Sequence, residues 1–304
     1  MRPALRAGLL PLWRDDDTVQ VGVDPRRAIA IAGMRHATDV ISLLDGSRDR
    51  TEVVGQAGLR GVPAVVAERV LTVLAAAGVL IDYPAQLLRS VPAELRRQLR
   101  PVLATASLGS QDGDGGAKLL ARRSATKVAV SGAGVIADSL ADLLTRSGLA
   151  ARRGQPADGG EVDLLVLVGH QSPSQTAELL RFARPHLTVT ASEGIGVVGP
   201  LVRPGSTACL RCLDLTRAER DPAWPLVLAQ LSCRSVDPPA CDPVLAAAVT
   251  AQAAAIVVAF ADGGGGLAQA AANGTLELVA PGWQWRRRSW RPHPACCCGA
   301  SATA

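Results

Sequence analysis

Three short apolar runs open the chain. LLPLW at 9–13, TVQVGV at 18–23 and AIAIAG at 28–33 have strand length, and DDD and DP separate them as turn signals. Three helical stretches follow, at 36–44, 50–57 and 64–77. The third carries Val66, Val70, Val73 and Leu74 at spacings of three and four, and stops at Gly78. VLIDYP at 79–84 closes the set. A small sheet with three short helices is a winged helix-turn-helix pattern, and it predicts a first domain over 1–88. Residues 89–125 read as a linker with an amphipathic helix at 92–103, a flexible glycine-rich break at 109–116 and a short helix at 118–123.

The pattern changes at residue 126. KVAVSGAG at 127–134 is a strand running into a glycine turn, and 135–146 is a helix closed by Gly148. VDLLVLVG at 162–169 is a continuous apolar run, as expected of a strand buried on both faces. A helix at 173–183 and a strand at 186–191 complete the pattern. It predicts a parallel, Rossmann-like α/β sheet within a second domain over 126–304. The uncharged run at 244–260 falls short of the roughly 20 residues that a bilayer needs, so it reads as a buried core helix. No apolar core of signal-peptide length precedes Asp15. The expected setting is the cytoplasm, without membrane contact.

Apolar residues make up 48% and charged residues 19%, so the chain is globular. The net charge of +5 comes from basic residues that are almost all arginine. That bias reads as compositional, and no nucleic-acid partner is expected.

Gly132-Ala-Gly134-Val-Ile-Ala137 reads GxGxxA between a strand and a helix, a turn that lets backbone approach a phosphate. The alternative is that glycine only permits a tight turn. A dinucleotide site expects an acid at the end of the second strand, yet that strand ends in Arg152-Arg153. Asp158, in a Gly/Pro loop, is a poor substitute. Only about eight residues lead from there to Val162, and a crossover with its helix needs a dozen or more. Gly132 and Gly134 are therefore assigned as a vestigial nucleotide turn, and ATP is not expected.

The seven cysteines point to metal binding or reduced thiols. Cys209-Leu-Arg-Cys212 and His293-Pro-Ala-Cys296-Cys297-Cys298 stand more than 80 residues apart. CxxC with CxC supplies four thiolates, the number for a closed tetrahedral zinc site. Cys209, Cys212, Cys296 and Cys298 are the assigned ligands, with Cys297 a spare thiol or a substitute for either neighbour. Such zinc would be structural, stapling the C-terminal tail to the sheet. A redox role for CLRC is the weaker reading. Cys233 and Cys241 read as plain loop or core cysteines.

Two longer stretches carry a resemblance. EGIGVVGPLVRPGSTACLRCLDLTRAERDPAWPLVLAQL at 193–231 and NGTLELVAPGWQWRRRSWRPHPACCC at 273–298 resemble the ThiF-like, cyclodehydratase-associated leader-peptide-binding proteins of azole-forming and thiopeptide-type gene clusters. The resemblance spans roughly 126–298. LLDGSRDRTEVVGQAGL at 43–59 looks like the PqqD-like recognition element of the same proteins. The resemblance implies a homodimer with a fold related to ubiquitin-activating enzymes. It also implies a YcaO-type cyclodehydratase partner, which uses ATP to turn Cys, Ser or Thr into azolines.

Catalytic ThiF relatives adenylate a C-terminal carboxylate, with basic residues on the crossover and an acid on the following loop for magnesium. Here the crossover is short, and His170-Gln-Ser-Pro-Ser brings no carboxylate before Glu178. Phosphoryl chemistry needs such cation clamps. The expected role is a non-catalytic adaptor that delivers a ribosomal precursor peptide, and the alternative is a ThiF-type adenylyltransferase acting on a peptide carboxylate. His170 reads as a loop residue and His186 as a strand-start residue with a satisfied ring. Asp221 to Trp224 reads as a helix start, with the acid near the cap and the indole packed beneath.

A winged helix is often a DNA reader, and a transcription regulator is the third reading. The third helix, however, carries only Glu68 and Arg69 as charges, which suits an apolar peptide groove better than a DNA groove. By resemblance, a leader would add as a strand beside Ala28, Ile29, Ala30 and Ile31, laying side chains toward Val66, Arg69, Val70 and Val73. Arg26 and Arg27 would attract acidic leader residues.

Overall fold

The computed structural model describes residues 1–33, 36–82, 93–109, 113–155, 161–233 and 240–300. Asp158 and the Cys233 side chain lie outside the described set. The chain forms two compact units, Met1–Ala121 and Arg122–Ala304.

In the first unit, β2 (Pro11–Trp13), β3 (Thr18–Val21) and β4 (Ile29–Ala32) form an antiparallel sheet in that order. The expected strand at 79–84 is β5 (Leu80–Asp82), which pairs with β1 (Pro3–Leu5), a strand too short to show in the pattern. Helices α1 (Ala37–Ile41), α2 (Arg50–Leu59) and α3 (Ala64–Ala76) match the three predicted stretches. A capping box starts α2: Asp49 accepts from the Glu52 amide, and Glu52 accepts from the Asp49 amide, both at 2.8 Å. The apolar stripe of α3 buries Val70, Leu71 and Leu74 against Val19, Val21, Ile31 and Leu43.

Of the stretch read as a linker, residues 93–109 and 113–121 fall within this unit. Helix α4 (Ala93–Gly109) buries Leu99 and Ala106. The buried Arg6 guanidinium donates to the carbonyls of Gly78 and Ser107, tying that helix to the turn after α3. The described part of the glycine-rich break is packed: the Asp82 amide donates to Gly113 O at 2.9 Å. A Cβ on Gly116 would meet Ala106 Cβ at 2.7 Å. A short helix, α5 (Ala117–Ala125), leads out.

The second unit is built on a seven-stranded sheet in the order β12-β11-β10-β9-β8-β6-β7. The predicted strands β6 (Lys127–Ser131), β7 (Ala150–Arg153), β8 (Leu164–Val168) and β9 (His186–Ser192) run parallel. The sheet then continues antiparallel through β10 (Ile195–Val202), β11 (Gly274–Val279) and β12 (Gln284–Ser289). That extension went unpredicted because its strands come from segments read only by resemblance. As expected, β8 is buried on both faces, and no helix joins it to β7 among the described residues. Helices α6 (Val135–Arg146) and α10 (Pro243–Ala261) cover one face, with Leu140, Leu144, Val249 and Ile256 against Val128, Val130, Val166 and Val189. The run at 244–260 is thus a core helix. The other face carries α7 (Pro173–Arg181), with Leu179 against Ala129, Leu165 and Leu167.

Candidate functional site

Helix α8 (Leu210–Arg220) begins one residue after Cys209 and places Cys212 on its first turn. The tail that follows β12 returns to this helix through Trp290, which is buried and donates from Nε1 to Thr275 Oγ1 at 3.1 Å. Ala295 N–H donates to His293 Nδ1 at 3.1 Å, so a neutral His293 ring carries its proton on Nε2 and donates it to Glu219 at 2.8 Å. These contacts deliver the CxC to the CxxC.

All four assigned sulfurs lie within 4.8 Å of one another. Cys209 and Cys212 stand 3.7 Å apart, Cys209 and Cys296 3.6 Å, and Cys212 and Cys298 3.6 Å. A tetrahedral ion with bonds of about 2.3 Å holds its sulfurs about 3.8 Å apart. A disulfide needs about 2.05 Å. The four cysteines therefore fit a metal ion such as zinc, and they leave it no open position. Cys297, left open from sequence, is exposed and turned away from the cluster, with Arg211 donating to its sulfur at 3.7 Å. Burial pushes the Cys209 thiol up, and burial pushes Cys296 up to about 11. Metal binding must displace those protons. Cys241 is half-buried against the sheet core, as a plain core cysteine.

At the glycine turn, Gly132 is a packing requirement. Its φ is +122°, and a Cβ there would stand 2.2 Å from Val168 O. Gly134 has φ +85° and open space around it. Where a nucleotide-binding strand would present an acid, Arg153 reaches back across the turn. It donates to Val130 O, Gly132 O and Asp138 Oδ1, each at 2.8 Å. The guanidinium braces the loop that would have to cradle phosphate.

His186 departs from its reading as a satisfied ring. Nδ1 donates to Arg184 O at 2.8 Å, but the buried Nε2 has no hydrogen-bond partner among the described residues. The helix start at Asp221 is as expected: its carboxylate accepts from the Ala223 amide at 3.0 Å. The Trp224 indole goes further, donating to Asp214 Oδ1 at 3.1 Å and stacking on Arg217. Asp214 and Arg217 drew no attention in the sequence, where they are two ordinary charges of a helix.

In the first unit, β4 pairs only with β3 among the described residues. Ala30 is exposed, Ala28 and Ile29 are half-buried, and Ile31 is turned into the core. On α3, Arg69 is exposed and Val66 and Val73 are partly open, while Val70 is fully buried and holds the core. Arg27 is exposed. Arg26 is already neutralised, since its guanidinium meets Asp24 at 2.9 and 2.6 Å. That contact holds the Asp24 carboxyl at about 2.

No protein-family profile and no curated protein matches the chain. Solved structures do. The heterocyclase TruD superposes with a TM-score of 0.66 at 19% identity, over 98% of this chain and 43% of that one. A heterocyclase in complex with substrate and cofactor gives 0.66 at 14%, over 99% and 39%. MccB of E. coli, solved with AMPCPP and MccA, gives 0.63 at 13%, over 99% and 100%. The chain therefore spans less than half the length of the heterocyclases it matches and the whole length of MccB. It shares the ThiF-like fold of these proteins.

Proposed function

We propose that the chain is a non-catalytic adaptor, which captures the leader of a ribosomal precursor peptide and presents it to a YcaO-type cyclodehydratase in the cytoplasm, as a homodimer. Two observations carry this reading: β4 is an edge strand among the described residues, and Val66, Arg69 and Val73 of α3 are accessible. An extended peptide adds to such an edge through main-chain hydrogen bonds and gains specificity from the flanking side chains. The likeness to the heterocyclase TruD supports a place beside a heterocycle-forming enzyme. The Arg153 brace over the glycine turn supports the non-catalytic half of the reading.

Calorimetric titration of the full chain with a candidate leader tests it. Arg69→Glu and Arg27→Glu should each weaken binding by roughly fivefold or more while the fold is kept. Unchanged affinity in both variants removes the surface. The adenylyltransferase reading draws on MccB, which matches over its whole length and has been solved with ATP. ATP–pyrophosphate exchange with the precursor present distinguishes the two: the adaptor gives none.

A further inference from the structure

Helix α9 (Trp224–Cys233) opens with the sequence WPLVLAQL, in which Gln230 is the polar residue. A helix apolar on every side ordinarily lies inside a protein. None of these eight residues is buried, and Leu226 and Val227 are 65% and 43% exposed. One helical turn apart, Trp224 and Leu228 form one wall of a groove of about 570 Å³. Leu180 of α7 and Leu215 and Ala218 of α8 supply the other walls. Exposed apolar surface of this kind marks an interaction site.

Two guanidiniums stand at the rim of the groove. Arg181 is exposed and lies 4.5 Å from the centre of the Phe182 ring, itself half open to solvent. Arg211 is exposed and donates to the Cys297 sulfur at 3.7 Å. Neither has a carboxylate partner among the described residues. The acid in the lining, Asp214, accepts from the Trp224 indole at 3.1 Å and from Arg217 at 3.5 Å. Arg217 in turn stands between two indoles, 4.9 Å from the Trp224 ring and 5.3 Å from Trp290. The charge left unmatched at the rim is therefore positive.

We infer that this groove is a docking surface for a partner protein that presents an acidic amphipathic helix. Apolar side chains of that helix fill the groove and cover α9, and carboxylates on its flanks meet Arg181 and Arg211. An apolar anchor seated in a pocket supplies much of the energy of such a contact, and unpaired cations at the rim select an acidic partner. A small ligand in the groove would leave Leu226 and Val227 in water, so a protein suits the surface better. A second copy meeting through this face would set like charges against each other across a two-fold axis. No residue of the leader surface lines the groove, and docking here is independent of leader capture.

Calorimetry on the full-length, zinc-loaded protein tests this with three capped peptides. The acidic probe is acetyl-ELLEELLEELLE amide. In the second probe every Glu is Lys, and in the third every Leu is Gln. The acidic probe should bind about tenfold more tightly than either of the others. Arg181→Glu, Arg211→Glu and Leu226→Asp should each weaken it about fivefold with zinc content unchanged. Ala177→Trp, at an exposed position in the lining, should weaken it about tenfold. Arg14→Glu, the same charge change at an exposed site in the first unit, should leave it unaltered. Equal affinity for the acidic and lysine probes overturns the inference, as does an equal loss in Arg14→Glu, which would reveal net charge alone at work. Loss in Arg69→Glu with none in Arg181→Glu would place the peptide on the leader surface and likewise overturn it. Should Arg211→Glu or Ala177→Trp lose zinc, the other two variants decide, and binding undisturbed in both Arg181→Glu and Leu226→Asp overturns it. Dimers in sedimentation that Leu226→Asp dissociates would assign the face to a second copy and overturn it too.

Discussion

Gly132 shows how one residue type carries two meanings. In the sequence it is the first glycine of a phosphate-binding turn. In the fold its hydrogen faces Val168 O at a distance no Cβ tolerates, so tight strand packing demands it without any ligand. Gly132→Ala should therefore cost roughly 2 kcal/mol or more in urea denaturation, while Gly134→Ala, strained but with open space around it, should cost less. Equal effects would refute the packing explanation. His186 supports a second prediction at this scale. Burial holds its imidazole below the usual value, against the pull of the Arg184 carbonyl. The unfolded chain regains a value near 6.5, so it binds more protons than the folded one below that pH. Stability from this group is complete above about pH 6.5 and is lost as pH falls through the lowered value. His170 is shifted the same way, chiefly by burial. His186→Leu should flatten the decline in unfolding free energy between about pH 7 and pH 5 without abolishing it. A slope identical to that of the parent protein would rule the buried imidazole out.

At the scale of elements, the boundary of the first unit matters most. A fragment ending at residue 88 keeps β1 to β5 but loses α4 and with it the Ser107 carbonyl that Arg6 engages. Burial already lowers the Arg6 guanidinium, so losing a partner there is costly. The fragment 1–121 should melt higher than 1–88, by roughly 5 °C or more. Coincident melting curves would show that α4 adds nothing to the unit. Periodicity made the helices of this unit legible. The role of α4 was not legible, because amphipathicity tells that a helix has an apolar face but not which neighbour receives it.

At the scale of the molecule, the four-cysteine cluster joins segments more than 80 residues apart in sequence. Purified protein should contain about one zinc per chain. Cys297→Ser should keep it, whereas Cys212→Ser or Cys298→Ser should lose it and lower the melting temperature, since metal binding energy is folding energy in such a site. Metal analysis checks all three variants, and zinc retained in Cys298→Ser would reassign the ligand to Cys297.

The order of residues alone determined much of this protein. Period-two and period-3.6 patterns set most of the elements, a continuous apolar run marked the doubly buried β8, and CxxC with CxC announced a four-thiolate cluster. These signals are local or are counts, so they survive without coordinates. Only the folded chain decided that Cys296 and Cys298, not Cys297, face the CxxC, because adjacent residues in an irregular tail point in directions set by Trp290 and His293. The same holds for Arg153 across the glycine turn, for Arg26 spent on Asp24, for Val70 in the core and for Arg217 between two indoles. Each depends on which groups meet through space, and such meetings are fixed by packing among segments distant in the chain.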